Sequence, residues 1–322
     1  MKGKQLCGLA LASLIVLSGC SSTVQEDGKD VIASIDGKNI LADDVYTSLS
    51  TSNSGKTALF DYVLETLVKE KFPVTSDMKE NASEIVENIE ANYNSQYGDE
   101  AEEQLESALA YGGYEDMDAY EESLIESLQY AEFIKQYIKD HFDEVYEDYY
   151  QQESPRILSI IKVSMSDVEN PTTEENENLK EVKNLLKTDK SFGDIAASYS
   201  DDDSSSAKGN IGVVDSTSDL TSSYGENVEK KALSLKAGAV SDAIKGTDGY
   251  YFLYCTSTDK DKIKEELSTV NIDSPLLAYD DYIIYLAFNS YELTYSSDEV
   301  KEMIQGVIND ALEKREEERG NS

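Results

Sequence analysis

A change of hydrophobic period at Ser154-Pro155 divides this chain. Before it, apolar residues recur at helical spacing: Leu59, Phe60, Val63, Leu64, Leu67 and Val68, then Ala82, Ile85, Val86 and Ile89. Pro73 separates these stretches, and Thr75 or Ser76 can cap the second. After breaks at Gly98 and Gly112-Gly113, a long helix is predicted from Met117 to Ile138, continuing through Phe142, Val145, Tyr146 and Tyr149. Beyond the divide, isoleucine-rich Arg156 to Val163 reads as a strand. Two helices follow, one through Leu179 and Val182 and a shorter one with Phe192, Ile195 and Ala196. A polar loop from Ser200 to Gly209, a strand at Ile211–Val214, a helix at Val228–Leu235 and a closing strand at Gly249–Cys255 complete the set. That order suits a compact α/β or α+β unit. Helical patterns then return over Leu276–Phe288 and from Ser297, where Ser296-x-x-Glu299 reads as a capping box.

The predicted fold class is therefore α+β: a mostly helical body in two parts, residues 31–150 and 275–322, around an inserted α/β domain at 154–260. At the front, Val31–Ile35, an Asp36-Gly37 turn and Lys38–Ile40 predict a hairpin, with a helix carrying Val45 and Leu49 behind it.

Residues 1–19 read as a signal peptide. Lys2 and Lys4 precede an apolar run from Leu6 to Leu17 that is too short to span a bilayer as a mature helix. Leu17-Ser18-Gly19-Cys20 resembles the lipobox of bacterial lipoproteins, which makes Cys20 the expected lipid acceptor and residues 20–30 a polar tether. The alternative is an ordinary secretory signal in which Cys20 is incidental. With a lipid anchor the working part sits on the extracytoplasmic face of the cell membrane.

The chain has 65 acidic against 28 basic residues, a formal charge of -37. Loss of residues 1–19 removes two lysines and no acid, giving -39. Such a field repels nucleic acid and anionic membrane surfaces and favours basic or apolar partners. Solubility or a salty or acidic habitat would account for it equally. Three cysteines leave Cys255 alone after processing, so no intrachain disulfide is expected. His141 is the single histidine. Histidine triads and zinc clusters are excluded with it, and neither metal nor cofactor is expected.

Several short segments together resemble the PrsA-type extracytoplasmic foldase lipoproteins, relatives of the SurA-like chaperones. The first is Val31-Ile32-Ala33-Ser34-Ile35-Asp36-Gly37 with its returning strand. The others look like a parvulin peptidyl-prolyl isomerase: Phe192-x-x-Ile195-Ala196-x-x-Tyr199-Ser200, Ala207-Lys208-Gly209-Asn210-Ile211-Gly212, Leu233 to Ser241, and Gly249-Tyr250-Tyr251-Phe252-Leu253.

The resemblance implies site positions. Where parvulins carry a histidine in the first strand this chain has Ser159, and where they carry one in the last strand it has Tyr251. The cysteine-or-aspartate position falls at Asp202, with Asp201 and Asp203 as neighbouring alternatives. The residues that hold the substrate proline would be Tyr224 and Val228, in a segment lacking the family's apolar-proline motif. The implied function is a lipid-anchored foldase or chaperone for unfolded secretory proteins, with a weak or inactive isomerase domain. The alternatives are an active isomerase with a rebuilt pocket, and a solute-binding or structural surface lipoprotein. A homodimer is left open.

Overall fold

The computed structural model describes residues 24–320. Cys20 and the expected signal segment lie outside them. The chain divides into two compact units, one ending at Asp61 and the other running from Tyr62.

In the first unit, β1 (Gln25–Glu26), β2 (Lys29–Ile35) and β3 (Lys38–Leu41) form an antiparallel sheet in that order. Asp36 and Gly37 both have positive φ, +49° and +81°. Two consecutive positive angles produce the turn whose twist matches a tight hairpin. Helix α1 (Ala42–Ser50) follows, and α2 (Asn53–Lys71) continues into the second unit.

The second unit begins with helices broken where the sequence predicts. Helix α3 (Ser76–Tyr97) is capped by Thr75, whose hydroxyl accepts from the Met78 amide. Helix α4 (Ala101–Gly112) ends on left-handed Gly113, and α5 (Met117–Asp140) starts on Asp116, which accepts from the Ala119 amide at 2.8 Å. Both α4 and α5 pack on α3. Helix α6 (Phe142–Glu153) then leads into the sheet region.

That region comprises β4 (Arg156–Ser164), α7 (Thr173–Leu185), α8 (Phe192–Tyr199), β5 (Asn210–Val214), α9 (Leu220–Tyr224), α10 (Glu226–Ala232), β6 (Ile244–Lys245) and β7 (Gly249–Ser257). Its strands are antiparallel in the order β5-β4-β7-β6. The pleat sorts the apolar residues onto two faces. Leu158, Ile160, Tyr251, Leu253 and Cys255 pack with Val228, Ala232 and Leu235 on and just after α10. Ile161, Val163 and Phe252 pack with Leu179, Val182, Phe192 and Ile195 of α7 and α8.

Helix α11 (Lys260–Glu266) returns the chain to helix, followed by α12 (Ile283–Asn289) and α13 (Asp298–Gly320). A third core joins α11 and α12 to α6: Tyr146 and Tyr149 pack with Ile263, Leu267, Leu276 and Ile283, and Ile157 and Val213 of the sheet lean against it. Near its end α13 is pinned by charge. Arg315 reaches Asp280 at 2.8 Å and Asp148 at 3.1 Å, and Arg319 reaches the same two carboxylates at 2.9 and 2.6 Å.

Two local expectations are corrected. The helical pattern at Leu276–Phe288 resolves into a 3₁₀ turn at Pro275–Leu277 and the separate α12. The cap of α13 is Ser297 rather than Ser296: its hydroxyl accepts from the Val300 amide at 3.2 Å. The third helical position is then Val300, which has no carboxylate to return the bond. The reciprocal capping box lies at Thr172 and Glu175 instead.

Candidate functional site

The strand-helix face that holds Tyr251 gathers most of the residues singled out in the sequence. Tyr251 is fully buried on β7, and its ring meets that of Tyr224 edge-on at 5.4 Å between centroids. Val228, also fully buried, belongs to the same apolar cluster. Gly246 and Gly209 permit this packing. A Cβ at Gly246 would lie 2.4 Å from the Tyr251 ring and 2.3 Å from the Tyr224 carbonyl oxygen. Gly209, at φ +78°, passes so close to β4 that a Cβ would lie 2.4 Å from the Ile160 carbonyl oxygen.

Of the acidic triplet, Asp202 is the buried member, 8 % exposed. It accepts from the Ser204 amide at 2.9 Å and from the Ser204 hydroxyl. Asp201 is engaged elsewhere, accepting from the Ser164 amide at 2.8 Å, and Asp203 is exposed. The Tyr224 phenol is pushed up to about 12, first by burial and then by the Asp202 carboxylate beside it. Burial and a hydrogen bond to Asp248 also raise Tyr251, so both hydroxyls are neutral donors throughout the physiological range.

Ser159 is not in this cluster. Its register partner on β7 is Tyr254, whose ring sits 5.5 Å from Phe192 of α8. Alternation along β4 turns Ser159 with Ile161 toward α7 and α8, away from Tyr251. The residue paired with Tyr251 is Lys162. Its ammonium lies 2.5 Å from Asp248, which also accepts from the Tyr251 hydroxyl. Partial burial would raise the Asp248 carboxyl, but the bonds from Lys162 and Tyr251 outweigh it and hold the group below the usual carboxylate range. Sequence reasoning missed Lys162 and Asp248. The available signal was strand parity: Lys162 and Ile160 share one face, and Ser159 the other.

Chemically, this arrangement offers an apolar wall, neutral phenolic donors and one sheltered carboxylate. Among the described residues no group of three or more His, Cys, Asp or Glu is placed to hold a metal ion. The buried Cys255 thiol is raised by desolvation and is correspondingly unreactive.

Residues 157–257 match the family model described as a rotamase, the PPIC-type PPIase domain. Foldase protein PrsA from Staphylococcus aureus strain bovine RF122 / ET3-1 is 26 % identical over 306 residues, covering 92 % of this chain and 90 % of the relative. Over most of its length the chain is similar to foldase proteins PrsA. Foldase protein PrsA from Staphylococcus aureus strain Newman is 25 % identical with the same coverage. Among solved structures, PrsA from Bacillus subtilis is 21 % identical at a TM-score of 0.40, covering 86 % of this chain and 98 % of that one. The segment matched by the PPIC-type model coincides with the four-stranded sheet and its helices.

Proposed function

We propose that this chain is an extracytoplasmic, membrane-anchored foldase in which the helices hold unfolded secretory proteins and the PPIC-type domain is a weak or inactive isomerase. In this reading residues 1–19 are removed, Cys20 carries the lipid, and residues 20–30 form a tether. Residues 31–150 with 275–322 form the client-holding part around the domain at 154–260. The relationship to foldase proteins PrsA supports the extracytoplasmic role. Client holding is supported by a groove of about 610 Å³ lined by Phe72, Pro73, Met78, Leu128 and Ile272, which offers apolar surface to an unfolded chain.

The observation that carries the weak-isomerase reading is the state of Tyr251. Prolyl isomerisation forms no covalent intermediate; it requires a twisted amide to be favoured against a barrier of about 18–20 kcal/mol. A buried phenol already donating to Asp248 has no free hydrogen for a substrate. A second reading, an active isomerase with a rebuilt pocket, draws on Asp202 and the half-buried Tyr224 above Val228. A protease-coupled Xaa-Pro assay on the full chain separates them. The expected result is acceleration of uncatalysed exchange, which takes tens to hundreds of seconds, by little or nothing. Robust turnover that Asp202→Ala or Tyr224→Phe reduces would establish the second reading, with Ser159→Ala as the control on the opposite face.

A further inference from the structure

We infer that the groove between α10 and the sheet edge at β6 is a docking site for an extended, acidic stretch of polypeptide, separate from the Tyr251 cleft. The groove has a volume of about 410 Å³. Lys230 and Lys231 line it from α10, Lys245 from β6, and Asp242 is the one acidic residue among its walls. Three lysines against one aspartate is an inversion of this chain's overall balance of 28 basic to 65 acidic residues. An acidic segment is repelled by the molecule as a whole, so a local cationic groove decides where it can settle.

Three observations specify a polypeptide carrying carboxylates. First, β6 is the outer strand of the order β5-β4-β7-β6, paired only with β7. An outer strand is a template for one further extended strand. Second, the outward cover of that strand is slight: Asn227 donates to the Lys245 carbonyl at 3.5 Å, a long bond that an incoming backbone amide can replace. Third, a carboxylate already sits on this edge. Glu169, from the loop between β4 and α7, is ion-paired with Lys245, and its side chain is 78 % exposed. A carboxylate of the incoming segment takes the place of Glu169, while Lys230 and Lys231, both exposed and with no ion-pair partner among the described residues, receive others. A segment carrying several carboxylates can meet these lysines together. Because α10 turns Val228 and Ala232 inward and Lys230 and Lys231 outward, occupation of the groove does not require the isomerase pocket.

The test uses the full chain and a fluorescein-labelled peptide of about ten residues alternating Glu and Thr, followed by anisotropy. Saturable binding is expected, weakening with added salt, with no binding of the Gln-Thr counterpart. Lys230→Glu with Lys231→Glu should weaken it about tenfold or more. Lys187→Glu with Lys190→Glu, which changes the net charge equally on exposed positions elsewhere, should weaken it far less. Glu169→Gln should tighten it by freeing Lys245. The inference fails if the acidic peptide does not bind, or if the two double variants weaken binding equally. It also fails if inorganic polyphosphate binds more tightly than the peptide, which would mark a site for phosphate polymers.

Discussion

Gly246 and Asp215 each hold a part of the sheet domain that no larger side chain or neutral substitute can hold. At Gly246 an added methyl meets the Tyr251 ring and the Tyr224 carbonyl, and the latter is fixed by a bond from the Thr247 amide at 3.1 Å. Gly246→Ala is expected to destabilise the chain by about 1–3 kcal/mol in urea denaturation and to change the near-ultraviolet tyrosine signal. Gly306→Ala, in the interior of α13 where a Cβ meets nothing, should instead stabilise by about 0.5–1 kcal/mol. Asp215 is fully buried, yet its carboxylate accepts from the Tyr149 hydroxyl at 2.5 Å, the Thr217 and Ser218 amides at 2.8 and 3.1 Å, and both of those side-chain hydroxyls. Asp215→Ala strands these five donors and should cost about 3 kcal/mol or more. Tyr149→Phe removes one of them and should cost about 1–2 kcal/mol. Equal losses from the two would show that the carboxylate acts only through Tyr149.

Among the elements, α7 depends most visibly on a single ionised group. Glu175 accepts from the Ser166 and Thr172 amides, and these bonds lower its carboxyl from the ordinary 4.5 to about 2. A depressed carboxylate contributes stability that is present above its unfolded value and lost as pH falls through the folded one. The start of α7 should therefore hold at pH 5 and loosen as pH falls from about 4.5 toward 2. Amide resonances of Ser166 and Thr172 followed by NMR would report it. Glu175→Gln should abolish that titration, and persistence of the midpoint near 2 in the variant would assign it to another group.

For the whole of residues 62–320, the shared core around Tyr146 and Tyr149 matters more than the boundary at Ser154. Ile157 and Val213 of the sheet lean on that core. Tyr146 and Tyr150 donate to the Lys260 and Thr258 carbonyls, and Tyr149 donates to Asp215. A joint with this much buried surface and this many cross-links couples the helices to the sheet on unfolding. Calorimetry of the full chain should show the sheet domain and helices α5, α6 and α11 melting in one transition. A segment 154–260 on its own should melt lower, with Ile157 and Val213 uncovered. Two well-separated transitions in the intact chain, at the midpoints of the separate pieces, would show that the joint carries no coupling.

Much of this was written in the local sequence. Hydrophobic period and breakers mark α2, α3, α5, β4 and β7, because each of those elements buries one face and ends at a residue that cannot continue it. Asp36-Gly37 marks a turn for the same kind of local reason. Motif order pointed to the PPIC-type region. Other features depended on residues far apart in the chain. The capping residue of α13 moved by one because its amides select whichever hydroxyl lies nearest. Ser159 and Tyr251 share a motif logic but not a face, since strand register and parity are set by pairing across β4 and β7. Lys162 and Asp248, separated by 86 positions, carry no mutual signal until the sheet brings them to 2.5 Å. The sequence alone therefore determined the elements and the kind of domain they build. Tertiary structure decided which side chains face one another, because long-range pairing and burial, rather than any local preference, choose those partners.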